Sequence, residues 1–235
     1  MKLGLLQCDE VPPEFLHISG DFPDMIGGMM GDHRDDLELV VYRVYEGTFP
    51  ASVDDCDFFI GGGARQSVFE NEDWIHKFED FIRELHAREK KFVGICFSHQ
   101  MSAQAVGGRV ERSSRDWGVG IKAMKISGTK PWMKPPLTDC STLFSHQDQV
   151  TRLPESAELL GGNDHCPHGL YTVGDHFLSI QAHPEYSADY VRALTEIRRE
   201  IIPEPIREAG LTSLEQPHHQ HELAQWIQNF LKPAE

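Results

Sequence analysis

The sequence is short of positive charge, of long apolar runs and of patterned cysteine. Its 22 Lys and Arg face 37 Asp and Glu, a formal net charge of −15. A surface of that sign repels phosphate backbones and anionic lipid, so neither nucleic acid nor membrane is an expected partner. No stretch approaches the roughly 18 apolar residues of a membrane span. The start, MKLGLLQCDEVPPEF, turns acidic and proline-rich after one brief apolar run, whereas a secretory signal needs a longer apolar core followed by small residues. The five cysteines (Cys8, Cys56, Cys96, Cys140 and Cys166) are odd in number and lack a CxxC spacing. That argues against a disulfide scaffold or a zinc ribbon and for a reducing compartment. The expected location is cytoplasmic. Repeats, low-complexity tracts and linkers are also missing, so residues 1–235 read as a single domain.

What is present is an alternation of short apolar runs and amphipathic stretches. Lys2–Gln7, Leu37–Tyr45, Asp57–Ile60 and Phe92–Ile95 read as strands, rich in β-branched and aromatic residues and stopped by Gly, Pro or Asp. Between them, Asp21–Met30 has an Asp start and an early Pro, as a short helix does. From Asn71 to Lys90 the residues Trp74, Ile75, Phe78, Phe81, Ile82 and Leu85 recur at three- and four-residue steps, one face of a helix with Asn71 as its cap. Phe97–Val106 reads as a helix closed by Gly107 and Gly108. Further on, Arg109–Ile126, Thr142–Val150 and Gly169–Ala182 are strand-like, and helices return over Ser187–Ile202 and His221–Leu231. The expectation is an α/β fold: an open, mostly parallel central sheet with helices on both faces and a smaller antiparallel portion in the second half.

The chemistry concentrates in two places. In Gly94-Ile95-Cys96-Phe97-Ser98-His99-Gln100 a buried strand runs into a cysteine and a helix starts at once. Such a turn is expected to hold the thiol exposed on a strained backbone above a helix N-terminus, which favours thiolate and can hold an oxyanion. Cys8, Cys56, Cys140 and Cys166 have no such setting and read as small buried hydrophobes. In His183-Pro184-Glu185 the proline keeps His183 extended, and residues two apart in extended chain face the same side. Glu185 can then orient the imidazole. Nucleophile, base and orienter are thus all present, at the carboxyl ends of strands where sites form in parallel sheets.

With these motifs the sequence resembles the class I glutamine amidotransferases, whose G-x-C-x-G-x-Q turn and H-P-E segment correspond to GICFSHQ and HPE here. Ile60-Gly61-Gly62-Gly63 resembles the family's glycine loop, Ser145–Val150 its S-H-G-D-x-V segment, and Asp116–Gly120 a further turn. The resemblance runs from about Leu37 to Tyr186 and implies a flavodoxin-like fold and glutamine amide hydrolysis without a metal or other cofactor. It implies Cys96 as nucleophile, His183 as proton shuttle and Glu185 as its orienter, with the backbone N–H groups of Gly63 and Phe97 as the oxyanion hole. Gln100, His146, Gln147 and Asp148 would line the substrate site. Three departures stand out. Ser98 replaces a Gly, and its hydroxyl is expected to bond into the site; Gln147 replaces a Gly near the substrate; Ala64 stands where a Pro often follows.

Within that family the sequence looks like the glutaminase part of GMP synthetase and its stand-alone relatives, some of which cleave γ-glutamyl peptide bonds. No GxxxxGK[ST] loop is present to handle ATP. The implied partner is therefore glutamine or a γ-glutamyl small molecule, with an ammonia-accepting synthetase subunit as a second partner if ammonia is passed on. The alternative is an inactive relative that serves as a binding or regulatory protein. His218, His219 and His221 before the last helix, and His165 and His168 about Cys166, lack the spaced fourth ligand of a metal site.

Overall fold

Residues 1–31 and 37–232 are described by a computed structural model of the chain. Its main sheet is built on five parallel strands: β1 (Lys2–Gln7), β2 (Glu38–Arg43), β3 (Phe58–Gly61), β4 (Phe92–Ile95) and β11 (Phe177–Ile180). Four antiparallel strands extend it, β6 (Gly118–Ile126), β7 (Asp139–His146), β9 (Ala157–Gly162) and β10 (Leu170–Val173), in the order β2-β1-β3-β4-β11-β10-β9-β6-β7. A separate ribbon pairs β5 (Arg109–Arg112) with β8 (Asp148–Arg152).

Period-2 alternation sends the strand side chains to two cores. Leu3, Leu5, Phe58, Ile60, Val93, Ile95, Leu178 and Ile180 face α2 (Phe22–Met30) and α7 (Gln220–Leu231). Leu6, Phe59, Phe92 and Phe177 face α3 (Asp73–Ala87) and α4 (Phe97–Ala105). In this second core Phe97 lies against Trp74 and Phe78, at ring separations of 5.4 and 6.0 Å. That anchors the start of α4 directly behind Cys96. A third cluster packs α5 (Ala188–Ile197) and α6 (Glu204–Ser213) over β6 and β7 through Ile121, Leu143, Val191 and Leu214.

The expected α/β class holds, and several boundaries change. The run Arg109–Ile126 breaks at residues 113–117 into β5 and β6, which belong to different sheets, and Thr142–Val150 breaks at Gln147 into β7 and β8. Gly169–Ala182 is a hairpin, β10 and β11. Ser187–Ile202 ends early, at Ile197, and after a turn Pro203 caps a separate helix, α6, whose polar sequence carries only a weak apolar stripe. Strand β9 and the one-turn α1 (Leu16–Ser19) went unpredicted, being short and half-exposed. Helix α3 starts at Asp73 and not beside Asn71, whose side-chain oxygen sits 2.9 Å from His76 Nε2. The Asp21 start is a full capping box with Asp24.

Candidate active site

At the end of β4, Cys96 has φ 52° and ψ −103°, a region L-residues seldom adopt and one that costs about 1–3 kcal/mol. Hydrogen bonds hold it there: Cys96 N–H donates to Ile180 O at 2.9 Å, and Gln100 N–H donates to Cys96 O at 3.0 Å. Cys96 caps α4, so the helix's first N–H groups lack intrahelical acceptors and present positive charge beside the sulfur. Ser98 N–H goes to Gly62 O at 3.2 Å. The strained turn is as expected; exposure is not. Only 6 % of Cys96 is accessible, since the loops after β3 and β11 wall it in at the floor of a double cleft.

Gly63, after β3, is where these loops close on one another. A methyl there would lie 3.0 Å from His183 Cε1 and 3.6 Å from Cys96 Cβ. Thiol, imidazole and glycine loop therefore converge on one spot, and only a residue without a side chain leaves the ring where it stands. Ser98 does not bond into the site as expected. Its hydroxyl turns beneath the loop, donating to Gly62 O at 2.7 Å and lying 3.5 Å from Cys8 Sγ.

His183 is over-determined. Its N–H donates to Leu143 O at 2.8 Å, and Nδ1 lies 2.8 Å from Glu185 Oε1. The ring stacks on Tyr186, with centroids 3.9 Å apart and planes 5° from parallel. Gln220, in the first turn of α7, donates from Nε2 to His183 O at 2.6 Å and Tyr186 O at 3.2 Å. Beside a carboxylate Nδ1 carries the hydrogen, and the other ring nitrogen, Nε2, is buried with no hydrogen-bond partner among the described residues. Burial pushes the imidazolium's pKa down, but negative charge at Cys96 and Glu185 outweighs it, and the group rises from its ordinary 6.5 to about 10. By contrast, burial pushes the Cys8, Cys140 and Cys166 thiols up to about 12, which keeps them protonated and inert.

Two clefts meet over Cys96. The first, about 390 Å³, is charged and is lined by Gln100, His146, Gln147 and Asp148 together with Arg112 and Arg198. Asp148 accepts from Arg112 Nε at 3.3 Å across the β5–β8 ribbon and forms a short hydrogen bond with the Ser67 hydroxyl. Arg198 Nη1 donates to Ser145 Oγ at 2.8 Å, and its guanidinium sits 5.5 Å over the Trp117 ring. The second cleft, about 190 Å³, is walled by Phe22, Tyr186, Tyr190 and Leu194 and includes Gly63 and His183.

The four residues predicted to contact substrate are brought together, though their polar atoms are largely engaged. Gln100 Nε2 donates to Asp148 O at 2.7 Å and Gln181 Oε1 at 3.1 Å. Gln147 O accepts from Ser113 N–H at 3.0 Å, and His146 Nδ1 lies 3.0 Å from Asp148 O. Burial lowers His146 to about 3, so it stays neutral. The Gln147 and Asp148 carbonyls thus brace the cleft, while the Asp148 carboxylate and the two arginines supply its charge. Ser67, Arg112, Arg198 and Tyr186 carry no sequence signal of their own, except that Tyr186 directly follows the H-P-E segment. His219, by contrast, caps α7 and accepts Ser141 N–H at 3.0 Å, and His168 Nδ1 lies 2.9 Å from Val150 O. Among the described residues no three His, Cys, Asp or Glu side chains are grouped to hold a metal ion.

The model of the family "Glutamine amidotransferase class-I" matches residues 53–192. Gamma-glutamyl peptidase 3 of Arabidopsis thaliana is 28% identical over 98% of this chain and 95% of its own length. GMP synthase of Bacillus pumilus is 34% identical, over only 40% of this chain and 18% of its own. The crystal structure of a glutamine amidotransferase from Methylobacillus flagellatus superposes with a TM-score of 0.75 at 19% identity, covering 98% of this chain and 92% of that one. Its fold is thus shared with solved amidotransferases, and by the family match, which spans more than half its length, the chain belongs to the class-I glutamine amidotransferases.

Proposed function

We propose that the chain hydrolyses γ-glutamyl amide bonds through a glutamyl thioester on Cys96. In this reading Cys96 Sγ attacks the side-chain amide carbon, and the oxyanion is held by the N–H groups of Gly63 and Phe97. His183 Nε2 gives its proton to the departing nitrogen, and the C–N bond breaks. Water, losing a proton to His183, then attacks the thioester and releases glutamate. Glu185 and Tyr186 orient the imidazole. The charged cleft suits an amino-acid head group, with Asp148 for the ammonium and Arg112 and Arg198 for the carboxylate.

The observation that carries the reading is the state of His183. Its Nδ1 is fixed by Glu185, its Nε2 is buried without a hydrogen-bond partner among the described residues, and its ring closes with Cys96 on Gly63. An imidazole so held is arranged for proton transfer rather than for packing. Likeness to a γ-glutamyl peptidase over nearly the whole chain favours a free hydrolase over a subunit that delivers ammonia to a synthetase. The chain is read as one working domain, because α7 from its far end ties down the His183 loop. Five free, buried cysteines fit a reducing, cytoplasmic setting.

The test is release of glutamate from glutamine and from γ-glutamyl dipeptides. Cys96→Ala should lower the rate by about 10⁴-fold or more. If the wild-type protein neither releases glutamate nor is alkylated at Cys96 by a glutamine-mimicking chloroketone, it is a non-enzymatic relative.

A further inference from the structure

The two clefts that meet at Cys96 differ in which reacting group they reach, and that difference assigns them opposite ends of a substrate. His183 and Gly63 line the aromatic cleft, whereas Gln100, His146 and Asp148 line the charged one. In amide cleavage the nitrogen of the broken bond takes its proton from the general acid, so the amine must leave on the side of His183. Ammonia needs little room there. The cleft's 190 Å³ is several times the roughly 30 Å³ that a water-sized molecule occupies.

The walls state what fills it. Phe22, Tyr186, Tyr190 and Leu194 are each less than 9 % exposed and form one apolar surface. Ile197, one turn further along α5 and 52 % exposed, continues that surface to the rim. At the mouth, Asp9 is engaged by Arg65 at 2.7 Å, so its charge is paired within the protein. Glu10 and Arg198 also line the cleft, Arg198 being shared with the charged cleft and held to Ser145 at 2.8 Å, and the remaining wall is aromatic and aliphatic.

We propose that this cleft is a leaving-group subsite that selects γ-glutamyl amides whose amine carries a large apolar or aromatic group. It rests on the thioester reading above and adds to it the class of amine released. The step balances as an ordinary transacylation. The Sγ–C bond forms, the C–N bond breaks, the His183 proton passes to nitrogen, and a neutral amine departs through the aromatic cleft while the glutamyl group stays in the charged one. The thioester then consumes one water and yields glutamate.

The experiment compares kcat/KM for γ-glutamyl-phenylalanine, γ-glutamyl-glycine and glutamine. A roughly tenfold or greater preference for the phenylalanine peptide over both is expected, the size that apolar pockets commonly give. Tyr190→Ala removes an aromatic wall, and Ile197→Asp places a charge on the rim; each should cut the Phe/Gly ratio by about fivefold or more. Ile197 is half-exposed, so its variant decides the matter should Tyr190→Ala fail to fold. Alkylation of Cys96 by the glutamine-mimicking chloroketone reports the thiol and charged cleft without any leaving amine. If Cys96 is alkylated and glutamate is released, but the three substrates react alike or the ratio ignores both variants, the subsite is overturned and the thioester reading stands. If Cys96 is not alkylated and no substrate is cleaved, both fall.

Discussion

The parallel and antiparallel halves of the sheet contribute to the site in different ways. From the parallel half come reacting atoms placed by backbone: the turn after β3 gives Gly63, that after β4 gives Cys96, and that after β11 leads to His183. From the antiparallel half and its ribbon come side chains that carry charge, Arg112 and Asp148 on β5 and β8, beside the neutral His146 at the end of β7. Parallel strands end on one edge, so their turns can be stacked over a single point without long side chains. The antiparallel strands reach that point only from the side, and they do so with extended, ion-paired groups. Reaction geometry and recognition are thereby separated, and each can be perturbed alone.

The largest effect should come from the parallel half. Gly63→Ala would press a methyl against His183 Cε1 and displace a ring already fixed by Glu185 and Tyr186. A displacement of this kind should lower kcat by about 100-fold with little change in KM, read in steady-state glutamate release. The antiparallel half should answer differently. Asp148→Asn weakens the pairing with Arg112 and Ser67 and should raise KM about tenfold while kcat moves less. If both variants alter kcat and KM in the same proportion, the division between the halves is wrong.

A smaller effect sharpens the parallel half by itself. His183 keeps its proton up to about pH 10, since its pKa is raised by negative charge at Cys96 and Glu185 against the opposing effect of burial. Acid catalysis to the leaving amine should therefore persist through neutral pH and fall only as pH climbs through that value. Glu185→Gln removes one of the charges that hold the proton, so the basic limb of the kcat/KM profile should shift to lower pH. A limb unmoved by the substitution would show that Glu185 has no electrostatic hold on the ring.

The same contrast governs how much was legible in the sequence. Strands β1, β3 and β4 are short apolar runs stopped by Gly, Pro or Cys, and their boundaries fell within a residue or two because full burial leaves only one pattern. Cys96 and His183-Pro184-Glu185 were legible as motifs because their local backbone demands are strong. In the antiparallel half, alternation continues across bends, so Arg109–Ile126 and Thr142–Val150 looked continuous where the chain switches sheets. Arg198 lies just past α5 in a stretch that read as continuous helix, and nothing local announces that it reaches Ser145 and Trp117. Ser98 was misread in direction: at a helix start the sequence identifies the residue but not which neighbouring carbonyl its hydroxyl will choose.

The buried Ser98 has a consequence for how this chain can change. A Cβ at Gly61 would stand 2.8 Å from the Ser98 Cβ and 3.0 Å from Phe92 Cζ, so the loop never holds side chains at residues 61 and 98 together, and Phe92 must also give way for one at 61. Reversion of residue 98 to glycine is open at any time, since Gly62 O loses the hydroxyl but keeps the residue-98 N–H at 3.2 Å. Enlargement of residue 61 is closed until that reversion has occurred. The order of the two substitutions is fixed by steric exclusion: residue 98 must lose its side chain before residue 61 can gain one.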